Sequence, residues 1–137
     1  MRVNQVADKL KITPDTVRFY TRKGYLKPIK ESESGYKNFN DKDVQRLRFI
    51  ISARQLGFTV EEIGKFIFEA EKGKSPCPLV RNLIKEHLTE TEHRFQEMLT
   101  LRARMKSAIK NWEGQPDKEP TGNMICHLIE NFSEEGM

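Results

Sequence analysis

The chain has 137 residues, 36% of them hydrophobic and 32% charged, with a formal net charge of +4. That suits one domain, or a small domain with an extension, under a heavily charged surface. No apolar run approaches the ~20 residues of a membrane span, and the opening MRVNQVADKL lacks the continuous apolar stretch of a signal peptide, so a cytoplasmic protein without a membrane partner is expected.

The charge is unevenly placed. Residues 1–56 hold 13 Lys/Arg against 6 Asp/Glu, net +7, and residues 57–137 hold 11 against 14, net −3. A basic first half points to a polyanion partner, although a solvated basic surface would read the same way.

Helical spacing dominates the pattern. In Val3–Lys11, Val3, Val6, Ala7 and Leu10 mark an amphipathic first helix. Thr13 is an N-cap candidate, Pro14 suits the first helical position, and Thr16 falls at N3. The second helix runs from Asp15 to about Lys23 and stops at Gly24. Two short helices joined by a tight turn are a helix-turn-helix skeleton. The second carries Thr16, Arg18, Tyr20, Arg22 and Lys23 mostly on its outer side, and with Thr13 its N-terminus offers N–H groups that favour phosphate.

In YLKPIKESESGYKNF, two short extended runs flank the polar turn Glu31–Gly35, a hairpin or "wing", with Tyr36 and Lys37 just past its tip. Asn40 or Asp41 caps a third helix that reaches about Leu56. Val44, Leu47, Ile50 and Ile51 line one face of it, and Lys42, Arg46, Arg48 and Arg54 the other. Thr59 caps a fourth helix that ends at Gly73, with Glu61 and Glu62 in the first turn where negative charge suits the dipole.

Lys74–Pro78 is a break, and Leu79–Trp112 then holds no Gly or Pro. Its narrow apolar seam includes Leu79, Leu83, Leu88, Phe95, Met98 and Ile109. A helix of that length, roughly 50 Å at ~1.5 Å per residue, cannot bury one seam within so small a chain. It reads as a coiled-coil strand whose cheapest partner is a second copy. Residues 113–123 form a loop, Met124–Phe132 a last short helix, and the tail SEEGM is expected to fray.

The expected fold is therefore all-α with a small β wing: a winged helix-turn-helix DNA-binding domain in 1–73, a hinge and long coiled-coil dimerisation helix in 74–112, and a loop with a short helix in 113–137, an antiparallel direction for the coiled coil and an effector-binding role for that loop being implied only by the family resemblance that follows. No nucleophile–base pairing, phosphate loop or metal-hydrolase spacing is present, so no enzyme is expected.

Three motifs, TPDTVRFYTRKGYL, ESESGYKNF and DVQRLRFIISARQLGFTVEEI, followed in order by the long helix, resemble the mercury-resistance regulator (MerR) family of transcription regulators. The resemblance covers essentially the whole chain. It implies a homodimer on a palindromic operator in double-stranded promoter DNA, which it bends and untwists so that effector binding realigns the −35 and −10 elements for RNA polymerase. Such distortion supplies part of the specificity. By resemblance, Arg18 and Tyr20 reach DNA from the recognition helix, Tyr36 and Lys37 from the wing, and Arg54 adds a backbone contact. Thr13, Thr16 and Arg22 join them at the start and outer side of that helix. A core-facing Tyr20, and a Tyr36 packed under the wing, remain the competing readings.

Short members of this family mostly sense metal ions through cysteines before and after the dimer helix, and antiparallel pairing brings the two positions together across the dimer. Cys77 in SPCPLV matches the first position and Cys126 in MICHLIE the last, with His127 beside it. Because copper sensors usually carry serine at the first position, Cys77 leans towards zinc, cadmium, lead, mercury or cobalt, and thiolate with imidazole suits zinc and its soft neighbours. The departure lies in the loop, where relatives have a further cysteine and this chain offers only Glu113, Asp117 and Glu119. Thiol oxidation between protomers, or a signal without metal, stays open, as does a small buried Cys126 beside a surface His127. His87 and His93 are expected to face solvent.

Overall fold

The computed structural model describes residues 1–132. The expectation for the tail, 133–137, lies outside them. Six helices and one hairpin follow in order among the described residues: α1 (Val3–Leu10), α2 (Pro14–Arg22), β1 (Ile29–Lys30), β2 (Lys37–Asn38), α3 (Asp41–Gln55), α4 (Val60–Glu71), α5 (Cys77–Trp112) and α6 (His127–Glu130). The hairpin is antiparallel, with Ile29 opposite Asn38 and Lys30 opposite Lys37. No helix among the described residues is long and apolar enough to cross a membrane.

Local chemistry sets most boundaries. α1 ends where Lys11 turns left-handed at φ 58° and its N–H reaches Ala7 and Asp8 carbonyls. The Thr13 hydroxyl accepts from Thr16 N at 3.2 Å, and Pro14 opens α2; Gly24, at φ 83°, follows its end. Thr59 and Glu62 cap α4 reciprocally, at 2.9 and 3.1 Å. At α3 the cap does more. The Asp43 carboxylate, buried at 7% exposure, accepts from Asn40 N (3.2 Å) and from Lys27 N (3.1 Å), so one side chain both caps α3 and ties down the segment leading into the hairpin.

The chain divides into two compact units, the first Met1–His87 and the second beginning at Leu88. The first is built round a core that includes Val17, Leu26, Leu47, Ile50, Phe58 and Phe66. Tyr25 closes it from one side, its hydroxyl donating to the Val60 carbonyl at 2.8 Å. Gly64 makes room for that ring: a Cβ there would overlap the tyrosine hydroxyl. The second unit carries the rest of α5 and a C-terminal segment folded onto its end. Trp112 Nε1 donates to the Leu128 carbonyl at 3.0 Å, and the rings of Trp112 and Phe132 meet edge to face at 6.2 Å.

Three expectations need correction. The long helix begins at Cys77, not after Pro78, because proline has no N–H to lose in a first turn. Its seam is not uniformly bare: Leu79, Val80, Leu83 and Ile84 pack on the core of the first unit, and the exposed apolar residues run from Leu88 to Ile109. The last helix is only His127–Glu130. The Glu130 carboxylate turns back to accept from Ile125 N (3.0 Å) and Cys126 N (2.8 Å), which supports a turn there in place of a longer helix.

Candidate functional site

The first unit gathers cations on one exposed face. Arg18 and Arg22, from α2, and Lys37, from β2, line adjoining clefts of about 560 and 210 Å³ that open between α1, α2 and the hairpin. Tyr36 lies in the wall of the larger cleft, 56% exposed, so it does not pack under the wing. Arg18 pairs with Asp15 at 2.8 Å, but both side chains are at least half exposed, and such a pair costs little to open towards a phosphate or a base. The start of α2 adds the exposed Thr13 and half-buried Thr16, whose hydroxyls lie 2.8 Å apart.

The structure does not bring every expected residue to this face. Tyr20 is only 6% exposed; its ring stacks on Tyr25 at 6.1 Å and meets Phe19 edge-on at 5.0 Å. The core-facing reading fits this placement. Arg54 is exposed, yet Nη1 donates to the Phe58 carbonyl at 2.7 Å across the α3–α4 turn, so part of its guanidinium is already engaged. Sequence reasoning missed Arg2, which lines the larger cleft with Asn4 and Gln5. A basic residue just before the first helix was the available signal, but the helix's proximity to the hairpin is tertiary.

The candidate metal ligands sit apart in the chain. Cys77 is exposed at the start of α5, its N–H donating to Ser75 Oγ at 3.2 Å. Cys126 is half-buried at the N-cap of α6. His127 is not the surface residue of the competing reading: it is 7% exposed, and its Nε2 lies 2.7 Å from the Pro116 carbonyl. A carbonyl oxygen only accepts, so Nε2 carries the proton and, in the neutral ring, Nδ1 keeps the lone pair. A metal-binding imidazole is commonly oriented in this way. Among the described residues no three His, Cys, Asp or Glu side chains form a metal-sized group within one chain.

The other histidines differ from each other. His93 is exposed as expected and pairs with Glu97 at 2.8 Å. His87 is not solvent-facing: it is three-quarters covered, 2.7 Å from Glu62, with its ring edge-on to Phe58 at 5.9 Å.

Comparison with known proteins bears on both ends of the molecule. Residues 1–68 match the MerR HTH family regulatory proteins and residues 44–108 match the family described as MerR, DNA binding. The chain is 30% identical over 119 residues to the uncharacterized HTH-type transcriptional regulator PA4778 of Pseudomonas aeruginosa, covering 85% of this chain and 90% of that one. It is 31% identical over 101 residues to the HTH-type transcriptional regulator ZntR of Escherichia coli K12, covering 73% and 72%. In structure it is similar to the lead(II) complex of the transcription regulator PbrR691 from Ralstonia metallidurans CH34, with a TM-score of 0.71 at 21% identity over 97% of this chain and 99% of that one, a likeness of fold.

Proposed function

This chain belongs to the MerR family of helix-turn-helix regulators, DNA-binding proteins and not enzymes, and on that footing we propose that it is a cytoplasmic homodimer that regulates transcription in response to a divalent metal ion. The observation that carries the DNA reading is the convergence of Arg18, Arg22, Lys37 and Tyr36 on one exposed face. Cations there release counterions from phosphate, and the start of α2 is placed to enter a groove. The operator is palindromic, mirroring the protein dimer, and the bound dimer distorts the promoter for RNA polymerase.

The dimer reading rests on α5. Phe95, Met98 and Ile109 are each more than 60% exposed, a seam without cover in one chain and suited to an antiparallel copy of itself. Antiparallel pairing would bring Cys77 of one protomer near Cys126 and His127 of the other. One thiolate from each protomer, with an imidazole whose protonated nitrogen is already held by Pro116, fits zinc, cadmium, lead, cobalt or mercury(II). A bound metal would supply a crosslink between protomers that stabilises one arrangement of the dimer over another.

Metal content of protein purified under reducing conditions, then competition among those five ions, tests this. Cys77→Ser and Cys126→Ser should each abolish the transcriptional response and leave DNA binding intact. A dimer mixing the two variants should bind one ion, because one site is whole and the other lacks both thiols. Two ions or none would show that the ligands do not pair across the dimer. The exposed Cys77 thiol also favours a second reading, thiol oxidation; a metal-free protein that forms an intersubunit disulfide would replace the first reading with that one.

A further inference from the structure

Tyr36 stands on a hairpin with only two residues in each strand, and outside the hydrophobic core. Such a ring needs something else to fix its direction. Arg2 supplies it: the guanidinium carbon lies 4.2 Å from the Tyr36 ring centroid. The same guanidinium reaches the Glu31 carboxylate through Nη2 at 3.4 Å. Glu31 in turn accepts from Ser34 Oγ at 2.7 Å, and Ser34 Oγ accepts from Tyr36 N at 3.2 Å. Glu31 N closes the loop by donating to the Tyr36 carbonyl at 2.7 Å.

Arg2 is the member of this network that comes from outside the hairpin. It stands at the N-cap of α1, its N–H donating to Gln5 Oε1 at 2.8 Å, and α1 packs on α2. The side chain therefore links the wing to the helix pair.

We propose that Arg2 is a positioning residue of the DNA-binding surface: stacked on Tyr36 and paired with Glu31, it holds the wing tyrosine in the orientation from which it meets DNA. The inference rests on the DNA-binding reading above. It also accounts for a carboxylate on a face that binds a polyanion. The Ser34 hydroxyl and then Arg2 hold the Glu31 carboxyl below the usual range, so it is charged at neutral pH and Arg2 offsets that charge. Arg2 shares the larger cleft with Arg18 and Lys37, so a direct phosphate contact is the competing role.

The test is a double-mutant cycle on a duplex that the wild-type protein selects from a random-sequence pool. Arg2→Ala should raise Kd about threefold to fivefold, the scale of an exposed cation–ring contact. Combined with Tyr36→Ala it should be no worse than the weaker-binding single variant. Its salt slope should stay as in wild type, and exchange of the amides of residues 31–36 should quicken at an unchanged Tm. Arg2→Lys, which keeps the charge but has no plane to stack, should recover less than half of the loss. Wild-type affinity in Arg2→Ala, or losses that multiply in the double variant, would overturn the proposal. So would a salt slope flatter by about one, the mark of a lost phosphate contact. A wild-type protein that selects no sequence would overturn the DNA-binding reading itself, an outcome visible before any variant is made.

Discussion

His87, in α5, donates from Nε2 to the carboxylate of Glu62 at 2.7 Å, and the same carboxylate accepts from Thr59 N at 2.9 Å at the start of α4. One carboxylate thus joins two helices of the first unit. Burial alone would raise its pKa, but hydrogen bonds from Thr59 and His87 outweigh burial and leave it below the usual value. A carboxyl whose folded-state pKa is depressed contributes stability that is complete above its unfolded-state value, about 4.3, and is lost as pH falls through the lower folded-state value. Stability measured by urea unfolding should therefore decline on the acid side of that point. In Glu62→Gln this acid limb should shrink. An unchanged pH profile would show that the pairing does not hold in solution.

Gly64 sits inside α4, where alanine would ordinarily be the better helix former by ~1 kcal/mol. Here a Cβ would collide with the Tyr25 hydroxyl, which is itself bonded to Val60. Gly64→Ala should destabilise the protein by about 1–3 kcal/mol, the usual cost of overpacking. Adding Tyr25→Phe should recover part of that loss, since the colliding oxygen is gone. A gain in stability in the single variant would mean that the ring swings aside freely.

The apolar face of α5 should make the protein a dimer of about 32 kDa, twice the 16.0 kDa chain. Leu88 and Met98 are 58% and 63% exposed in the single chain. Leu88→Asp or Met98→Asp should therefore leave each chain folded and break the assembly by placing an unpaired charge in the seam. Light scattering at micromolar concentration reads the result directly. A monomeric wild-type protein there would remove the dimer reading.

Arg18 and Lys37 face the same clefts but should behave differently. Arg18→Ala should cost on the order of 1–3 kcal/mol in operator affinity and relax discrimination at one base position. Lys37→Ala should cost less, equally for all sequences, and flatten the salt dependence. Binding assays over a range of salt concentrations separate the two. Operator affinity unchanged by Arg18→Ala would mean that α2 does not read the DNA.

Much of this protein was legible in the sequence because the signals are local. Thr13 and Thr59 cap the helices they were expected to cap, and of the two candidates for α3 it is Asn40 that does so, since a cap depends on residues two or three apart. The wing was visible because the polar turn ending in Gly35 lies between short extended runs. The periodicity of α5 marked its apolar seam, and the apolar residues from Leu88 to Ile109 are exposed in the single chain.

The tertiary structure decided what local pattern leaves degenerate. Tyr20 lies three residues after Val17 on one face of α2, and a tyrosine can serve a core or a groove; stacking on Tyr25 settles its ring into the core. His127 reads equally as a metal ligand or as a surface residue; its burial against the carbonyl of Pro116, eleven positions earlier, removes the surface reading. Arg2 carries no local sign of Tyr36, 34 positions away; the ring comes within its reach where the neighbouring Met1 pairs with Asn38 and Phe39 at the end of the hairpin. Capping and periodicity are short-range, encoded in neighbouring residues and readable there. Which side chains share a surface depends on how the chain closes on itself, and that is settled by burial and packing summed over the whole core.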